Sequence, residues 1–212
     1  GVFGRCGPRM AAEGHGMERN MDGTADILSA RIETSPRARR WSKWRLLILG
    51  VPILVLAEQW TKFLAVERLT AVFARSADLP LYEKLSGFYT YRNLQPLARE
   101  PYEVWKGFWR MTYAENPGSA FGLFGMWPPT SRFVFFTVAT LAAVAYILGA
   151  YRRVREDHRV RQIALVLVLA GAIGNFTDRL ARRYVIDFID WGVRDIRWPT
   201  FNLADVFVVV GV

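Results

Sequence analysis

Apolar residues fall into four blocks separated by polar and charged stretches. The first runs from Leu46 to Ala57 (LLILGVPILVLA) and continues as EQWTKFLAV to Val66. That is about 20 residues, enough for a helix to cross ~30 Å of hydrocarbon. Pro52 lies inside it, which membrane helices tolerate. The second block, Ser131 to Tyr151, is the clearest span, and the third runs from Gln162 through IALVLVLAGAIGNF to about residue 180. The fourth, VFVVVGV, follows Asp205 and reaches Val212. The eight residues from Asp205 rise only about 12 Å as a helix, so a span cut short is expected over 204–212.

The segments between the blocks are read as loops. Residues 67–130 are too polar to span and hold the aromatic run YEVWKGFWR at 102–110. Tyr102, Trp105, Phe108 and Trp109 fall near one helical face, which predicts a helix lying in the membrane interface. The alternative is an ordinary core helix of an extracytoplasmic subdomain. Residues 181–203 form a second outer loop. Residues 1–40, rich in Gly and Arg without apolar periodicity, read as a disordered cytoplasmic tail, with Met10, Met17 or Met21 as alternative starts. No apolar run follows its charges before residue 46, so it does not read as a signal peptide.

Composition sharpens this picture. Hydrophobic residues make up 52% and charged residues 22%, which excludes disorder of the whole chain. The net charge of +9 could suit nucleic acid, but the basic residues flank the apolar runs. Arg37, Arg39, Arg40, Lys43 and Arg45 precede the first span, and five arginines lie between Arg152 and Arg161. By the positive-inside rule those ends are cytoplasmic, and no nucleic-acid partner is expected. One cysteine, Cys6, excludes a disulfide framework and a multi-Cys zinc site. The two histidines, His15 and His158, lie in polar stretches, so neither a metal nor a cofactor is expected. The fold class expected is therefore an all-α membrane protein. It would be a four-transmembrane-helix bundle with a subdomain, for which a small β-sheet is one form, between helices 1 and 2.

Candidate chemistry gathers at the outer ends of the spans. Glu58, Gln59, Thr61 and Lys62 close the first, Asn175, Asp178 and Arg179 the third, and Asn202 and Asp205 open the fourth. VIDFID, with Asp187 and Asp190, lies between the last two. Ionisable groups at membrane depth are expensive, so each is a functional candidate. Each also has a plain structural reading: Asn202 and Asp205 as a helix N-cap, Asp178–Arg179 as a surface pair with a snorkelling Arg, Asp187 on the exposed side of a short strand, and Lys62 as an interfacial anchor. Small residues beside them (Gly171 and Gly174; Gly118, Ser119 and Ala120 beside Asn116) allow close approach and favour a gathered site. Two carboxylates in a poorly solvated place share a proton, and such a pair can both deprotonate water and protonate a leaving amine. Small transporters and proton relays also use buried Asp/Arg sets, and a non-catalytic assembly factor could retain the bundle.

NPGSAFG, GAIGNFTDRL, VIDFID and FNLAD, in that order, resemble the lipoprotein signal peptidases (signal peptidase II), and EQWTK looks like a variant of that family's DQ-x-[ST]-K motif. The resemblance runs from about Leu46 to Val212. It implies a bacterial inner-membrane protease, multi-pass, with its active site near the extracytoplasmic face, cutting prolipoproteins before the diacylglyceryl-modified cysteine. On the matching positions, Asp187 and Asp205 would be catalytic, with Asn116, Asn175, Asp178, Arg179, Asn202, Glu58 and Lys62 supporting them or binding substrate. Arg179 reads as the counter-charge of a carboxylate. Membrane lipids and globomycin-type inhibitors would be partners. Glu58 departs from the family's usual Asp, and the stretch between EQWTK and NPGSAFG is longer than the family pattern.

Overall fold

The computed structural model describes residues 36–74, 78–118, 124, 127–193 and 195–212, with side chains from Lys43 onward. The expected tail, 1–40, lies almost wholly outside the described residues, as do Ser119 and Ala120 of NPGSAFG. The chain divides into two compact units, Gly1–Trp41 and Ser42–Val212. All the described side chains belong to the second.

Helix α1 is Pro36–Leu69 and accommodates Pro52 in its interior. Helix α2, Leu81–Thr90, and the hairpin of strands β1 (Tyr102–Trp105) and β2 (Trp109–Asn116) come after it. Helices α3 (Pro129–Arg153) and α4 (Arg159–Arg182) come next, then β3 (Val185–Val193), β4 (Ile196–Arg197) and α5 (Leu203–Gly211). Among the described residues, three helical segments are long and apolar enough to cross a membrane: Lys43–Leu69, Pro129–Arg153 and Arg159–Arg182. Ile53, Leu56, Val138 and Leu141 stay exposed on α1 and α3, as expected of helices that meet lipid rather than water. The protein is thus mostly helical with three candidate spans, and α5 adds nine apolar-rich residues.

The helices are accompanied by a small β-sheet, the form of subdomain that the expectation of an all-α bundle had left open. The four strands form one antiparallel sheet in the order β1-β2-β3-β4, so the sheet draws on both loops rather than on the first alone. The aromatic run at 102–110 is a hairpin, not the expected helix. Gly107 at its tip has φ +74°, and Phe108 N–H donates to the Trp105 carbonyl at 3.0 Å. A Gly in the left-handed region closes a short loop, and aromatic residues fit a pleated surface. Tertiary pairing with β3 decides between two periods that four aromatic residues cannot distinguish.

Two apolar clusters stack along the bundle. One joins Val51 of α1 to Ile147 and Tyr151 of α3 and Val166, Leu169 and Ala170 of α4. The other, at the sheet end, joins Phe63, Val66 and Leu69 of α1 to Phe88 of α2, Tyr113 of β2 and Ile186 and Phe188 of β3. Helix α5 lies close on α4: a Cβ on Gly171 would collide with the Ala204 carbonyl, and one on Gly211 with that of Ala164. Lys43 is buried at the opposite end, where its ammonium donates to the carbonyls of Arg152 (3.1 Å) and Val154 (2.7 Å). It thereby satisfies carbonyls left open at the α3 C-terminus.

Candidate active site

Between the two apolar clusters, α1 and α4 carry polar residues that no bilayer would accept unpaired. Glu58, Lys62, Asp178 and Asn202 are all fully buried, and Asp187 is 1% exposed. Lys62 forms ion pairs with Glu58, one turn earlier, and with Asp178 Oδ2 at 2.7 Å. Its ammonium also donates to Asn175 Oδ1 at 3.0 Å. It is therefore a buried hub, not the interfacial anchor its position near a helix end suggested. Gln59 Nε2 donates to Glu58 Oε2 at 2.9 Å. Glu58 lies directly against Gly174, where a Cβ would approach Oε2 to 2.7 Å. A Gly is what makes room for this longer carboxylate.

Asp187 sits on β3 opposite Ala114 of β2, just beyond a bulge between Met111 and Ala114. Asn116, two residues further along β2, shares its face of the sheet and donates from Nδ2 to Asp187 Oδ2 at 2.9 Å, as diagonal neighbours on one face do. Asn116 Oδ1 accepts the Gly118 N–H at 2.9 Å, and Gly118 takes φ +109° to make that turn. Phe201 exchanges backbone hydrogen bonds with Ile189 at 2.9 and 3.0 Å. That pairing delivers Asn202 beside Asp187. Asn202 Nδ2 donates to Asp187 Oδ1 at 2.6 Å and to Asn175 Oδ1 at 3.1 Å.

Asn202 and Asp205 form a capping box at the start of α5. The Asn202 N–H donates to Asp205 Oδ2 at 3.1 Å, and the Asp205 N–H to Asn202 Oδ1 at 3.2 Å. Asp205 Oδ1 accepts from Asn175 Nδ2 at 2.9 Å. The capping reading and the functional reading are thus compatible: the cap itself orients the Asp205 carboxyl. Asp187 and Asp205 are joined through one asparagine, and each has both oxygens engaged by hydrogen bonds. Burial, and then the Asp205 charge, push the Asp187 carboxyl up from 3.8 to about 7. The Asn116 and Asn202 amides and the Lys62 ammonium pull it the other way.

Asp178 is not a surface residue: Oδ1 pairs with Arg182 at 2.7 Å, and Oδ2 also accepts the Ile186 N–H at 3.2 Å. Arg179, read as the counter-charge, makes no ion pair among the described residues. Its guanidinium lies 4.7 Å from the Phe136 ring centre and reaches the Asn175 carbonyl at 3.4 Å. Arg182 takes the pairing role instead, and the signal was present as the i,i+4 spacing from Asp178. Asp190 stands apart from the cluster, tied to Arg110 at 2.5 Å and Arg197 at 2.9 Å, where it clips β2, β3 and β4 together.

Fold and site together define a helical membrane protein with a buried carboxylate–carboxamide network at the sheet end of its bundle. Residues 51–212 match the family model described as signal peptidase (SPase) II. The chain belongs to that family. The lipoprotein signal peptidase of Anaeromyxobacter sp. (strain Fw109-5) is 54% identical over 177 residues, covering 82% of this chain and 84% of that protein. That of Moorella thermoacetica is 41% identical over 130 residues, covering 61% and 79%. A solved bacterial membrane enzyme matches with a TM-score of 0.53 at 25% identity, over 77% of this chain and 80% of the other. A second solved bacterial membrane enzyme, at 24% identity and a TM-score of 0.54, covers 77% and 85% and shares the fold.

Proposed function

We propose that this chain hydrolyses the peptide bond before the diacylglyceryl-modified cysteine of prolipoproteins, releasing the signal peptide, with Asp187 and Asp205 as its proton-handling pair. The observation that carries the catalytic assignment is the joint suspension of the two carboxyls from the amides of Asn116, Asn175 and Asn202. A pair holding one proton between them supplies both halves of the reaction. The ionised member takes a proton from water as it attacks the scissile carbonyl. The protonated member stabilises the developing oxyanion, and a proton then passes to the leaving nitrogen as the C–N bond breaks. Asn116, Asn175 and Asn202 hold the acids in place, and Lys62 holds Asn175. Glu58 and Asp178 anchor Lys62, and Arg179 stacks beside the site.

The peptidase domain is 41–212, and α5 begins a fourth span that seats on α4 through Gly171 and Gly211. The five arginines between Arg152 and Arg161 lie at the end of the bundle away from the sheet. That favours a bacterial inner membrane with the sheet on the extracytoplasmic side. Membrane lipids surround the spans, and globomycin-type cyclic peptides would occupy the site.

The experiment is cleavage of a diacylglyceryl-modified prolipoprotein by detergent-purified protein, beside Asp187→Asn and Asp205→Asn. Wild type should cut before the lipidated cysteine. Each variant should lose on the order of 10²–10⁴-fold in kcat, the usual worth of a general acid or base. Near-wild-type turnover by either variant removes the dyad. No cleavage by folded wild type removes the peptidase reading.

A further inference from the structure

Arg182 is the last residue of α4 and only 2% exposed. A guanidinium at a helix end could reach out past the last turn, yet this one turns inward. Its NH1 donates to Asp178 Oδ1 at 2.7 Å, while Nε and NH2 both donate to the Phe88 carbonyl of α2, at 3.1 and 2.6 Å. The guanidinium lies 4.0 Å from the Phe88 ring centre and 5.4 Å from that of Tyr89. Tyr89 in turn donates its hydroxyl to Gln59 Oε1 at 3.2 Å, and Gln59 Nε2 reaches Asp178 Oδ1 at 3.3 Å. Helix α2 is thus fastened to α1 and α4 through the same group of charges that holds Lys62.

We infer that Arg182 is a positioning residue for this reaction: it seats α2 over the carboxylate cluster and, through Asp178, Lys62 and Asn175, fixes the side of the site that holds Asp205. The inference rests on the peptidase reading. Its physical basis is charge count and reach. Glu58 and Asp178 are two buried anions matched by two buried cations, Lys62 and Arg182. Without Arg182, one ammonium faces two carboxylates and is drawn away from Asn175 Oδ1, the acceptor that orients the Asn175 amide toward Asp205. A lysine at 182 keeps the charge but lacks the fork that engages Asp178 and the Phe88 carbonyl at once.

The test is a kinetic cycle on the full chain in detergent, with diacylglyceryl-modified prolipoprotein as substrate: Arg182→Gln, Arg182→Lys, Asp178→Asn and the pair D178N/R182Q. Arg182→Gln should lower kcat by about 10- to 100-fold with KM within about threefold, the size expected when reacting groups move by an ångström or less. Arg182→Lys should recover part of kcat. The double variant removes one anion with one cation, so it should be at least as active as the weaker single variant. Two residues that act independently of one another predict losses that multiply, and a role in the fold alone predicts an Arg182→Gln protein whose folded fraction keeps the wild-type kcat. Multiplying losses, or an Arg182→Gln kcat within about twofold of wild type, overturn the inference. If Arg182→Gln does not fold, the charge-balanced double variant and Arg182→Lys decide it. Failure of wild type to cleave sinks the parent reading instead.

Discussion

Asn202→Ala separates the two jobs of one side chain. Asn202 donates to Asp187 Oδ1 at 2.6 Å, and its Oδ1 accepts the Asp205 N–H in the cap of α5. A hydrogen bond to a charged group is worth about 1.5–3 kcal/mol, and one pKa unit is 1.36 kcal/mol. Removing the donor therefore disfavours ionised Asp187 by about 1–2 units. The sign is fixed by which form the amide stabilises: Asn202 lowers a carboxyl that burial holds at about 7, so its loss raises that value further. If the pair must keep one proton to work, the alkaline limb of kcat/KM, near pH 7 in wild type, moves upward by that amount. Loss of the cap costs a further ~1 kcal/mol of stability. Asn202→Ser is the control, because serine can still cap α5 but does not reach Asp187. The assay is the initial rate of prolipoprotein cleavage across the neutral range, alongside thermal denaturation in detergent. An alkaline limb that stays put or moves down in Asn202→Ala would refute the reasoning. So would a Ser variant whose alkaline limb stays at the wild-type position while that of the Ala variant moves.

The same contacts set further outcomes. Lys62→Met leaves Glu58 and Asp178 without their shared cation, a loss of about 3–5 kcal/mol for a broken buried pair; the yield of folded protein from membranes should fall, and a wild-type yield and melting curve would contradict the hub role. Gly174→Ala places a methyl 2.7 Å from Glu58 Oε2 and should cost about 1–3 kcal/mol. Glu58→Asp in the same chain shortens the carboxylate and should restore most of that stability; equal melting losses with and without it would argue against the clash. The raised Asp187 carboxyl also predicts how fold stability depends on pH. Its folded value exceeds the ordinary 3.8, so its contribution is complete below about pH 4 and is lost as pH rises through about 7. Asp187→Asn should flatten that part of the stability profile, and an unchanged slope would show that another group sets it.

What the sequence determined on its own is what depends on near neighbours along the chain. Twenty-residue apolar runs specify spans because the bilayer sets a length. Asn202 and Asp205 are three apart, the spacing of a capping box, and their pairing follows from helix geometry wherever the helix sits. The motifs from NPGSAFG to FNLAD were legible as strings, and with them the family. The tertiary structure decided the rest. A polar residue near the end of a span can snorkel or turn inward at similar local cost, so Lys62 as a buried hub and Arg182 rather than Arg179 as the partner of Asp178 could be settled only by the surrounding helices. The run 102–110 has aromatic residues compatible with period 3.6 or period 2, and its pairing with β3 selected the strand. Asp187 and Asp205 lie 18 positions apart on a strand and a helix. Their meeting depends on Phe201 pairing with Ile189, a contact between segments that local periodicity does not encode. The proton affinity of Asp187 depends in turn on that meeting, because burial and a neighbouring charge exist only in the folded chain.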